Sequence, residues 1–139
     1  MDDSEYGAKH MPTFEGLIRC SDFVVACCPL NDTTRYMFNE SVFKMMKDDA
    51  ILINVGRGQL VETNALIRAL KGNWIRAAGL DVTDPEPLPG DHELWTMDNV
   101  TITPHIGSAT EECRTRMMNL ASDNLMCVLK GVTCDNNVA

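Results

Sequence analysis

Basic side chains are scarce in these 139 residues: 12 Lys and Arg stand against 20 Asp and Glu, a net charge of −8. That balance argues against nucleic acid as a partner, because no basic stripe exists to neutralise phosphates. No apolar run has the length of a membrane span, so no transmembrane segment is expected. The opening MDDSEYGAKH has neither part of a secretory leader, and the closing Asn-Asn-Val-Ala is no retention or peroxisomal signal. Cytoplasm is therefore the expected setting. Asn31, Asn39 and Asn99 head N-x-S/T triplets, which without a leader read as chance matches. The six cysteines lack C-x-x-C and C…H spacing, so no metal site is expected. Cys27 and Cys28, adjacent in an apolar run, read as buried small hydrophobes, and all six as free thiols. No G-x-G-x-x-G phosphate loop occurs anywhere in the chain.

What is present is globular: 45% hydrophobic and 23% charged residues, in a length that suits one domain with a core. Phe14, Leu17 and Ile18 give a weak helical pattern within a polar, acidic stretch at 1–21. Apolar, strand-length runs follow at 23–28 and 50–55, closed by Pro29 and Gly56. Ala77–Val82 and Val100–Thr103 are two more strand candidates, each followed by proline. Between them, Asn39 can cap a helix reaching Lys47, and a second helix is expected at about 63–71, with Gly72 past its end. A last helix runs from near Thr110 to about Lys130, with Ser108 and Glu111 at capping-box spacing.

This alternation predicts an α/β domain with a doubly wound parallel sheet. The strands look apolar throughout, as when both faces are covered. In such sheets ligands sit beyond the carboxyl ends of the strands. Four ends supply Pro29, Gly56-Arg57-Gly58, Asp81 with Glu86, and His105-Ile106-Gly107-Ser108. Taken singly, Arg57 reads as a surface residue, His105 as structural and Glu86 as an acid in a rigid loop. Asp81 is odder, since a carboxylate within an apolar strand needs a partner.

Together they suit reduction of a keto acid. Arg57 can grip a substrate carboxylate and polarise the carbonyl. His105 can give a proton to the carbonyl oxygen as hydride reaches carbon. Glu86 can hold the other imidazole N–H and favour imidazolium. Gly56-Arg57-Gly58 mimics the start of a dinucleotide fingerprint, but its third position is Val61. Its glycines are better read as allowing a tight turn that lets Arg57 face the site.

At these residues the sequence resembles the D-isomer-specific 2-hydroxyacid dehydrogenases. Ser21-Asp22-Phe-Val-Val with Pro29-Leu30, ILINVGRGQLVETNALIRAL, AAGLDVTDPEPLP and NVTITPHIGSAT carry the likeness, over about 21–130. Glu86 follows Arg57 by 29 positions and His105 follows Glu86 by 19, in the family's order. The wording of the last two segments is most similar to glyoxylate/hydroxypyruvate reductases.

The resemblance implies a partial Rossmann-type NAD(P)-binding domain with a C-terminal crossover helix. It divides the chain into an N-terminal remnant at 1–21, the catalytic half of the cofactor domain at 22–109, and a helix and tail at 110–139. Arg57 would bind substrate, with Glu86 and His105 as the acid–base pair. Asp81 would receive the nicotinamide carboxamide. Cys28, Pro29, Val55, Gly56, Arg57, His105, Gly107 and Ser108 would complete the cofactor contacts. Glu86, where formate dehydrogenases have glutamine, favours a proton-transferring reductase.

The implied cofactor is NAD or NADP, the ligand a small 2-keto or 2-hydroxy acid, and full-length relatives are expected to be homodimers. The family's substrate domain and glycine fingerprint precede the part matched here, so this chain is expected to be a fragment that turns over nothing by itself. Residues 110–130 are expected to be only partly supported. A non-enzymatic NAD-sensing corepressor and an inactive truncated product are the alternative readings.

Overall fold

Four short parallel strands, each entered from a loop or helix and left through a polar turn, organise the residues before His105. The computed structural model describes residues 7–134. Residues 1–6 of the expected remnant and 135–139 of the tail lie outside the described residues. Clustering of the chain gives one unit ending at Pro104 and a second beginning at His105.

In the first unit, α1 (Phe14–Cys20) leads into β1 (Phe23–Ala26), and α2 (Glu40–Phe43) into β2 (Ile51–Asn54). A 3-10 turn at Gly58–Leu60 and α3 (Thr63–Lys71) lead into β3 (Ala77–Leu80); a 3-10 turn at Glu93–Thr96 precedes β4 (Val100–Ile102). The strands lie in the order β1-β2-β3-β4, with Val24 beside Leu52, Leu52 beside Ala78 and Leu80 beside Ile102. Because right-handed crossovers step in one direction here, the connecting helices gather on one face. No reversal of strand order occurs among the described residues.

That face holds the core. Val24, Ala26, Leu52, Ala78 and Leu80 are buried with Phe43 of α2 and with Ala65, Leu66, Ala69 and Leu70 of α3. The 3.6-residue period of α3 sets those four on one side, and burying Leu66 or Leu70 contributes about 1.5–3 kcal/mol each. Phe14 meets Phe38 edge to face, with ring centroids 5.7 Å apart, and so draws α1 against the core.

The opposite sheet face differs from expectation. Phe23 is 65% and Val25 52% exposed, and β1 alternates exposed and buried residues. An unbroken apolar run does not reveal which alternate side chains find cover. The same reason corrects Cys27, which is exposed, whereas Cys28 is half-buried. The helix begun at Asn39 is also shorter than expected: Asn39 caps it, but beyond Phe43 the chain tightens into i→i+3 turns at Met45 and Met46.

In the second unit α4 (Glu111–Lys130) is capped by Thr110, whose hydroxyl accepts from the Cys113 amide at 3.2 Å. Thr110 therefore takes the position expected of Ser108. Gly131 ends the helix at φ 65°, a left-handed cap. None of the 20 residues of α4 is buried, with Met117, Met118, Leu125 and Leu129 among those exposed. Among the described residues no helix is long and apolar enough to cross a membrane.

Candidate active site

The sheet places its polar turns on one edge. At the end of β2, Asn54 is 1% exposed, the one buried polar residue among those described. Its amide group donates to the Arg57 carbonyl at 2.9 Å and its carbonyl oxygen accepts from the Gly56 amide at 3.1 Å. One buried side chain thus satisfies both backbone groups of the turn. Arg57 itself is extended and exposed, its guanidinium donating to the Gly56 carbonyl at 2.8 Å.

The two flanking glycines serve close approach rather than unusual backbone angles. A Cβ on Gly56 would lie 2.8 Å from Leu60 Cδ1 and 3.2 Å from the Cys28 carbonyl oxygen. A Cβ on Gly58 would lie 1.9 Å from the Thr83 carbonyl oxygen. So the arginine turn touches the end of β1 on one side and the loop after β3 on the other. Cys28, Pro29, Val55 and Gly56 come together at the first of these contacts, where the Val55 amide also donates to Ala26.

After β3, the half-exposed Asp81 has a partner: the Thr103 hydroxyl donates to its carboxylate. Glu86 lies in an exposed loop and accepts from the Thr83 amide at 3.3 Å. That loop is held from two further elements. Thr63, at the start of α3, donates to the Asp84 carbonyl at 2.7 Å, and the Tyr36 phenol donates to the Asp84 carboxylate at 2.8 Å. This hydrogen bond, with the carboxylate's charge, raises the Tyr36 phenol above its ordinary value.

In the second unit, His105 is exposed and has a left-handed backbone at φ 53°, a region where His is enriched and which often marks functional positions. Ile106 accepts from the Ala109 amide at 2.9 Å, forming a turn that contains Gly107 and the half-buried Ser108.

Asn54, Tyr36, Thr63 and Thr103 are absent from the sequence-based set. Asn54 alone carried a signal there, as an amide inside an apolar run. Among the described residues no cluster of three or more His, Cys, Asp or Glu could hold a metal ion. The groups present suit the nicotinamide end of a dinucleotide: an apolar, exposed Val55 surface and a half-exposed Asp81 carboxylate that can accept hydrogen bonds, on neighbouring strand ends.

Comparison with known proteins agrees with this chemistry. Residues 1–107 match the model of the D-isomer specific 2-hydroxyacid dehydrogenase, NAD binding domain. The chain is 48% identical over 129 residues to the glyoxylate reductase of Pyrococcus furiosus, covering 93% of this chain and 38% of that protein. It is 45% identical over 128 residues to human glyoxylate reductase/hydroxypyruvate reductase, covering 92% of this chain and 39% of the relative. The D-lactate dehydrogenase of Lactobacillus jensenii, solved with NAD+, superposes with a TM-score of 0.82 at 32% identity, over 91% of this chain and 42% of that one. The chain thus spans about two fifths of the length of these relatives.

Proposed function

The chain belongs to the D-isomer specific 2-hydroxyacid dehydrogenase family, and we propose that it supplies the catalytic residues of an oxidoreductase that reduces a small 2-keto acid. The substrate would be of the glyoxylate or hydroxypyruvate type and the product the D-2-hydroxy acid. The observation that carries this reading is the Arg57 turn, locked by buried Asn54 and pressed through Gly58 onto the Glu86 loop. A cation and a carboxylate are thereby held on adjacent turns of one sheet edge.

Arg57 pairs with the substrate carboxylate through its planar fork and draws electron density from the neighbouring carbonyl. His105 gives its proton to the carbonyl oxygen, and Glu86 supports the charged imidazole beforehand. Asp81, held by Thr103, accepts from the cofactor's carboxamide, with Cys28, Pro29, Val55, Gly56, Gly107 and Ser108 lining the rest. Bound NAD(P)H supplies the hydride. The six cysteines form no disulfide, which suits a cytoplasmic enzyme.

The test is NAD(P)H oxidation driven by glyoxylate or hydroxypyruvate in the intact enzyme. Activity lost in both Arg57→Ala and His105→Ala supports the reading. Activity unchanged in His105→Ala overturns it. The 139-residue chain by itself is proposed to be inactive, so substrate-dependent oxidation by it would refute that part.

A further inference from the structure

Tyr36 is a bulky residue in the left-handed region, at φ 52°, where such a side chain is strained. Its surroundings over-determine that conformation. The Tyr36 amide donates to the Gln59 carbonyl at 2.7 Å, and the Tyr36 carbonyl accepts from Asn39 at 3.4 Å. The Arg35 guanidinium lies 6.0 Å from the Tyr36 ring centroid and donates to the Gln59 side chain at 2.6 Å. Gln59 sits in the turn that follows Arg57. From this anchored position the Tyr36 phenol reaches Asp84, 48 positions away in sequence, at 2.8 Å.

Asp84 stands two residues before Glu86, in a segment also bound through Thr63 to the Asp84 carbonyl and through Thr83 to the Glu86 carboxylate. Tyr36 therefore joins three loops: the one after β1, the arginine turn after β2 and the glutamate loop after β3. A strained residue whose side chain ends on the loop of a reacting acid has a mechanical use. Glycine at 36 would relieve the backbone but remove the phenol that donates to the Asp84 carboxylate.

We propose that Tyr36 is a positioning residue for Glu86, acting through its hydrogen bond to Asp84. This inference rests on the acid–base role given to Glu86 above. The phenol and carboxylate fix the height and direction of the loop, so that the Glu86 carboxylate is presented in one orientation rather than many.

Two measurements test it. Amide hydrogen exchange at Thr83 and Glu86 in the 139-residue chain should quicken roughly three- to tenfold in Tyr36→Phe and Asp84→Ala, the effect of losing one hydrogen bond. Asp84→Asn should exchange like the native chain, since its amide oxygen still accepts from the phenol. In the intact enzyme, Tyr36→Phe should lower kcat about tenfold with the cofactor KM unchanged, and Asp84→Asn should restore most of kcat relative to Asp84→Ala. Unchanged exchange in Tyr36→Phe overturns the proposal whatever the activity. Faster exchange with an unchanged kcat overturns the positioning role. If the native enzyme reduces no 2-keto acid, the functional reading fails by itself and the exchange result alone decides whether Tyr36 holds the loop.

Discussion

Gly58 meets Thr83 backbone to backbone: a Cβ at residue 58 would lie 1.9 Å from the Thr83 carbonyl oxygen and 2.1 Å from its carbon. Neither atom belongs to a side chain that could turn aside. This contact couples the arginine turn to the glutamate loop, so the spacing of Arg57 and Glu86 depends on a missing methyl.

Gly58→Ala is accordingly expected to cost about 1–3 kcal/mol, as overpacking does, by forcing the two segments apart. The urea midpoint of the chain should fall. An unchanged midpoint would mean that the loop after β3 yields freely, contrary to its hydrogen bonds from Thr63 and Tyr36.

Asn54 gives a second expectation. Asn54→Leu keeps the bulk but strands the Gly56 amide and the Arg57 carbonyl beside a buried position, at about 1–3 kcal/mol. Asn54→Asp keeps an acceptor for Gly56 but removes the donor to Arg57 and buries a charge, so it should be at least as damaging. Denaturant titration of both variants checks the order; Asn54→Asp more stable than Asn54→Leu would contradict it.

How far such relations can be read from sequence depends on how local they are. The bounds of α3, Thr63–Lys71, match expectation because an amphipathic period and a following glycine are both local signals. The strands fall within two residues of their apolar runs for the same reason. Arg57, Asp81, Glu86 and His105 stood out because each follows a strand end. Tyr36 and Thr63 did not, since their partner Asp84 lies 48 and 21 positions away, and nothing in either residue's neighbourhood announces it. The exposure of Cys27 was hidden likewise: composition shows that a run is apolar, but only the packed sheet shows which face is covered. At α4 the capping-box spacing pointed to Ser108, whereas the cap is Thr110, because its hydroxyl is the one that reaches the Cys113 amide.

The carboxylate of Glu40 gives a pH prediction. Lys44 and then Arg68 hydrogen-bond to it, and they hold it below the ordinary carboxyl range. A lowered folded pKa contributes stability above the unfolded carboxyl value, and that contribution fades as pH falls through the folded value. The stability difference between the native chain and Glu40→Gln should therefore be constant at neutral pH and vanish in acid. Because the group is exposed, molar salt should shrink it at every pH. A difference that grows on acidification would reverse the sign and refute the assignment.

Arg57 separates two roles in a single substitution. Lysine keeps the charge but loses the planar fork that matches a carboxylate bidentately. If Arg57 both binds the substrate carboxylate and polarises the carbonyl, Arg57→Lys in the intact enzyme should raise the keto-acid KM and lower kcat together. Loss of one charge-assisted hydrogen bond makes the fall in kcat/KM about 10- to 100-fold. The cofactor KM should change less than the keto-acid KM, because Arg57 is only one of the proposed cofactor contacts, beside Asp81, Cys28, Pro29, Val55, Gly56, His105, Gly107 and Ser108. Steady-state kinetics with both substrates varied distinguishes the cases. A raised KM with unchanged kcat would confine Arg57 to binding, and leave polarisation of the carbonyl to the proton on His105.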